Sequence, residues 1–215
     1  MGSTHKGRTV PKGKTRIGAV LVCMAILAAS GCTQNSDGTP SPASNTPSTG
    51  DAPTSMANDT NTAPVVANPL DVSKFMTSPC LSMTSAQATE LTVSPQGRPE
   101  NRDSPACTWR YGPNLEWNVS VGYVVPDAKN GLQNLYHQNA AGWFSKGYFE
   151  PTRIDDYPAV YNSDSDDRAK GQCELSVGVN EQTMITVLNN GENNTDLCRG
   201  AAKVANAVVE TIKRG

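Results

Sequence analysis

The chain is expected to fold as an α+β domain, an antiparallel sheet with helices packed on one face, disulfide-stapled and set behind a disordered tether. Three observations predict this. Apolar and polar residues alternate in "LEWNVSVGYVV" and again in "CELSVGVN", the period of half-buried strands. Apolar residues recur at helical spacing towards the C-terminus. Cys80, Cys107, Cys173 and Cys198 give the domain an even set of cysteines, the framework of an exported, cross-linked fold.

The elements follow in chain order. In "MTSAQATEL", Thr84 stands three residues before Gln87, a capping box that opens a short helix reaching Leu91. "CTWRY" is a short strand. In the next strand Leu115, Trp117, Val119, Val121, Tyr123 and Val125 share one face, and Glu116, Asn118, Ser120 and Gly122 the other. Leu132, Leu135, Tyr136 and Ala140 then line one side of a helix over residues 128–141, weakened by Gly131. "YFEPTRI" reads as an edge strand, because Pro151 has no donor for a ladder, and "YPAVYN" as a strand beside it. "CELSVGVN" points Cys173, Leu175, Val177 and Val179 inward and Glu174, Ser176 and Asn180 outward. A turn at residues 180–182 makes a hairpin with "TMITVLN". In the last helix Leu197, Ala201, Val204, Ala205, Val208 and Ile212 form an apolar stripe, with Lys213 and Arg214 at the end the dipole favours.

Ahead of the domain the composition changes twice. Residues 1–16 carry Lys6, Arg8, Lys12, Lys14 and Arg16 and no acid, and "IGAVLVCMAILAA" follows, too short to span a bilayer comfortably. A basic start, a short apolar run and small residues form a secretory signal. Ala29, Ser30 and Gly31 before Cys32 resemble a bacterial lipobox, although Ala29 stands where Leu is more usual. The expectation is cleavage after residue 31, diacylglyceryl and palmitate-type acylation of Cys32, and a protein held to the cell membrane on its extracytoplasmic face. Two or more acyl chains give stable anchoring.

Residues 32–69 are expected to be a disordered tether. From Thr33 to Pro69 they hold no Lys, no Arg and no aromatic residue, too little apolar surface to offset the entropy of ordering. As a flexible coil they would reach about 30–35 Å. Residues 70–215 form the single extracytoplasmic domain. Cleavage removes five of the 18 basic residues and none of the 20 acidic ones, leaving 13 against 20, a net charge of −7. That argues against a nucleic-acid partner.

Cys80 precedes the first helix and Cys198 opens the last, while Cys107 and Cys173 lie on inward strand positions. Pairing nearest neighbours gives Cys80–Cys107 and Cys173–Cys198. The rival joins Cys80 to Cys198 and Cys107 to Cys173. Metal binding is disfavoured, since no C-x-x-C occurs and His137 is the one histidine after the signal.

Chemistry-bearing patterns are sparse. G-x-S-x-G and H-E-x-x-H are absent, so His137 reads as a surface or packing residue. Asp164, Asp166 and Asp167 begin like a calcium loop, but Ala169 and Leu175 occupy the places where an EF-hand needs Gly and Glu. Carboxylate pairs such as Asp155 with Asp156, or Glu116 with Glu174, have the composition of a glycosidase site but sit at ordinary outward positions. Trp109, Trp117 and Tyr123 read as core. Trp143 and Phe144, after the middle helix, are the candidate ligand-binding rim. No catalytic residue, metal or cofactor is assigned.

"SPCLSMTSAQATEL", "CTWRYG", "YPAV", "QCELSVGVNEQTMITV" and "DLCRGAAKVANAVVETI" together resemble a family of actinobacterial lipoproteins, catalogued as domain of unknown function 3558. The resemblance runs from about Leu70 to the C-terminus. It implies location and fold type rather than mechanism. Two function classes follow: a non-enzymatic surface module that binds an envelope ligand or protein partner, and an envelope hydrolase with a carboxylate site. The missing nucleophile favours the first.

Overall fold

A computed structural model describes residues 61–215 apart from Arg102 and Asn194. The signal, Cys32 and most of the tether lie outside the described residues. Seven strands form one sheet in the order β1-β2-β3-β7-β6-β5-β4, each antiparallel to its neighbours. Strands β1 (Arg98–Asn101), β2 (Pro105–Tyr111) and β3 (Trp117–Val124) make one meander. Strands β4 (Tyr148–Ile154), β5 (Tyr157–Ser163), β6 (Gln172–Gly178) and β7 (Met184–Asn190) make a second, and β3 joins β7. Both edge strands contain a proline, Pro99 in β1 and Pro151 in β4.

Alternation sorts the side chains as read. Val119, Val121 and Tyr123 of β3, Leu175 and Val177 of β6, and Ile185 and Val187 of β7 are fully buried on one face. Helix α4 (Leu197–Arg214) lies over them by the predicted stripe, extended by Val209. Helices α1 (Ser73–Thr77) and α2 (Ser85–Glu90) fill the same layer. Thr84 and Gln87 close the capping box, each backbone N–H donating to the other's side chain at 2.8 and 3.2 Å. The Gln87 amide then donates to the Ala207 carbonyl at 2.8 Å, fastening α2 to α4.

Helices are not confined to one face. Helix α3 (Gln133–Ala140) crosses the opposite face on its way from β3 to the far edge, and packs Leu135 and Tyr136, with Leu132 just before it, on Val160 and Met184. It starts later than its apolar pattern. Lys129 and Gly131 both have φ near +49°, and a Cβ on Gly131 would stand 3.0 Å from the Asn180 and Glu181 carbonyls. Strand β3 likewise starts at Trp117, because Leu115 sits at φ 56° in the preceding turn with its side chain exposed. Strand β1 was not anticipated. "RPEN" is polar and contains Pro99, features that suit an edge and leave no apolar period.

The disulfides join Cys80 to Cys107 and Cys173 to Cys198, clamping helical segments to β2 and β6. Residues 61–69, the end of the stretch expected to be disordered, are instead bound to the domain together with Leu70. Ala63 N–H donates to Gln133 of α3 at 2.8 Å, Tyr157 O–H to the Asn68 carbonyl at 3.0 Å, and Leu70 N–H to the Val179 carbonyl at 2.8 Å. Val66 and Leu70 pack on the α4-side core, and Ala63 on the α3 side. The strap thus ties the two layers together round one end of the sheet.

Candidate functional site

Half of the α3-side face is left open. The register there aligns Thr108, Ser120, Leu188 and Glu174 in one row, and Ala106, Gly122, Thr186 and Ser176 in the next. All of these but Thr108 and Ser176, which lie beneath, line a groove of about 370 Å³ together with Val124, Met184, Glu100, Asp103 and Ser104. Its floor is low because its side chains are small. A Cβ on Gly122 would meet nothing nearer than 3.9 Å. The Thr108 and Ser120 hydroxyls are 2.6 Å apart and those of Ser176 and Thr186 3.5 Å, so the floor presents hydroxyls already ordered by one another. Leu188, Met184 and Val124 supply an apolar side.

Glu174 is the chemically distinctive group. Alternation assigns it to the outward face, where it is, but it is half-buried rather than solvated. Removal from water raises its carboxyl to about 7. An amide hydrogen bond from Asn162 opposes the rise and the Asp164 charge adds to it. Asn162, on the same face of β5, is 4% exposed, and its side-chain oxygen has no hydrogen-bond partner. Tyr148 holds the Glu174 backbone, its hydroxyl accepting the amide hydrogen at 3.0 Å. Sequence reasoning named Glu174 only as half of a carboxylate pair at an ordinary outward position, because its environment comes from Leu188 and Asn162, neighbours fixed only by strand pairing.

The other candidates separate. Trp143 is 64% exposed, whereas Phe144 is no rim residue: it stacks on Phe149 with ring centroids 5.5 Å apart and joins the α3 core. Neither lines the groove. His137 is exposed on α3. In the acidic loop Arg168 holds Asp166 at 2.6 Å and Glu150 at 2.9 Å, and Lys170 holds Asp167 at 2.6 Å. These bonds keep Asp166 and Asp167 below the usual carboxylate range, and no cluster suited to a metal occurs among the described residues. Asp155 pairs with Lys213, and Glu116 accepts from the Asn114 amide, so neither belongs to a site with Glu174. A larger hollow of about 470 Å³ beside Asp71, Ser73 and Asn180 has polar groups that already bond to one another or to the strap.

No curated protein and no solved structure matches the chain. A family model described as "Protein of unknown function (DUF3558)" matches residues 27–211. The chain therefore belongs to the DUF3558 family of proteins of unknown function.

Proposed function

We propose that this is a lipoprotein of the outer side of the cell membrane, anchored through acylated Cys32, whose domain binds an envelope component in the open sheet groove. The observation that carries the binding reading is the groove itself, with an ordered hydroxyl floor and one half-buried carboxyl at its wall. The anchor rests on the tripartite signal and the small residues before Cys32. The family match starting at residue 27, five residues before that cysteine, is consistent with it. Actinobacterial origin follows from the resemblance and belongs to the same proposal.

Photo-crosslinking from Ser120 and Leu188 in intact envelopes tests the binding reading. An adduct at those positions, lost on blocking the groove with Gly122→Trp, supports it; adducts only outside the groove sink it. Cys32→Ala should release the protein from the membrane fraction, and unchanged fractionation would remove the anchor.

A second reading, a hydrolase, is favoured by one observation. A carboxyl that titrates near 7 in a cleft has the property of a general acid. Turnover of glycan or ester substrates that disappears in Glu174→Gln would establish it.

A further inference from the structure

Asn-Gly pairs occur at Asn130-Gly131 and at Asn190-Gly191. Glycine carries no side chain to keep its backbone nitrogen away from the amide carbon of the asparagine before it. Attack of that nitrogen on Cγ closes a five-membered succinimide. The Cγ–Nδ2 bond breaks, the glycine N–H gives its proton to solvent base, and ammonia departs with a proton from solvent. Water then opens the ring at one carbonyl to give aspartate or at the other to give isoaspartate. The net change is amide plus water to carboxylate plus ammonium, so water is the sole co-reactant. The sequence does not distinguish the two pairs.

The fold does. Asn190 ends strand β7, between Asn118 of β3 and Gln172 of β6. Its side-chain amide donates to the Asn118 side-chain oxygen at 3.2 Å, and its carbonyl accepts from the Tyr111 hydroxyl at 3.0 Å. The Gly191 N–H donates to the Gly171 carbonyl at 2.9 Å. Both groups that would have to meet are therefore engaged. Asn130 stands in the loop between β3 and α3, outside either element. Its side-chain oxygen is buried without a partner, and its side-chain nitrogen makes no hydrogen bond among the described residues. The Gly131 N–H has no acceptor among them either. What restrains this peptide is a single bond from the Gln133 N–H to the Asn130 carbonyl, at 3.0 Å.

We infer that Asn130 is a self-modification site: the folded protein converts it through a succinimide to aspartate and isoaspartate, while Asn190 keeps its amide. The effect reaches beyond the loop. Isoaspartate adds a carbon to the main chain beside Lys129 and Gly131, both held at φ 49°, where Gly131 packs on the Asn180 and Glu181 carbonyls. The longer chain displaces the loop from that turn. Asn180 of the same turn holds the strap through the Leu70 carbonyl, so conversion loosens residues 61–70.

The test is mass-spectrometric peptide mapping of the full chain after incubation in mildly alkaline buffer, folded and in denaturant, with aspartyl and isoaspartyl peptides separated. In denaturant both asparagines should convert at similar rates. In the folded protein Asn130 should convert at least about 10-fold faster than Asn190, which must first give up its hydrogen bonds and its place in the sheet. Equal rates at the two positions in the folded protein overturn the site. So does an Asn130 that keeps its amide when folded although it converts in denaturant. Limited proteolysis of aged wild type and aged Asn130→Gln, whose longer side chain closes a ring far more slowly, reads the consequence. Early cuts within residues 61–70 should appear in the aged wild type and not in the aged variant. The same cutting pattern in both overturns the link to the strap and leaves the modification site standing.

Discussion

A side-chain carbon on Gly200 would lie 2.6 Å from the amide nitrogen of Asn189, the nitrogen that donates to the Leu197 carbonyl at 3.0 Å. The Asn189 oxygen accepts from the Tyr111 hydroxyl at 2.8 Å, so one buried amide ties β2 to the start of α4. Gly200→Ala should therefore destabilise the fold by about 1–3 kcal/mol, although Ala is the better helix former by about 1 kcal/mol. Urea unfolding checks this. A stabilised Gly200→Ala protein would show that Asn189 is not held in this place.

Glu174 makes stability depend on pH in a defined direction. Its folded carboxyl stands near 7 against an ordinary 4.5, so between these values the folded state keeps a proton the unfolded chain gives up. The contribution is fully present below 4.5 and is lost as pH rises through 7. Wild type should lose about 1–3 kcal/mol relative to Glu174→Gln between pH 4.5 and pH 8. Exposed carboxylates with lowered values, such as Asp166, act in the opposite sense but are common to both proteins. Parallel denaturation curves at every pH would sink the assignment.

Replacing Cys173 and Cys198 together with Ser should cost about 3 kcal/mol, as should replacing Cys80 and Cys107, since the bridged residues are 25 and 27 positions apart. Denaturation midpoints with and without reductant measure it. Reductant should shift wild type and leave the quadruple Ser variant where it is.

Asn180 serves two segments at once. Its amide donates to the Leu70 carbonyl at 3.1 Å, and its oxygen accepts from the Gln182 and Thr183 amides at 3.0 and 2.8 Å. Asn180→Ala should cost about 1–3 kcal/mol and expose residues 61–70 to protease before the domain unfolds. Limited proteolysis with mass mapping detects the first cut. A cut elsewhere first would remove the strap's dependence on this turn.

Most of the architecture was legible because it follows from local period. The Val119–Tyr123 and Leu175–Val179 alternations and the α4 stripe name the same residues that are buried, and Thr84 with Gln87 marks its helix start to the residue. Boundaries failed where backbone conformation broke a pattern, at Leu115 and at Lys129 and Gly131. The second face failed for another reason. Leu135 and Tyr136 announce an apolar stripe but not which side of the sheet receives it, and that depends on the crossover from β3 to β4. The groove was invisible for the same reason: Ser120, Thr186 and Glu174 are unremarkable one by one and become a wall and floor only through register.

Pro99 and Pro151 give both rims of the sheet a residue with no hydrogen to donate. A protein displayed densely on a surface meets its own copies at high local concentration, conditions in which open strand edges grow into ribbons. A proline on each rim leaves a gap in the row of edge donors, which disfavours strand-to-strand pairing between copies. If the chain is anchored as proposed, that would leave the open sheet face of each copy uncovered by its neighbours.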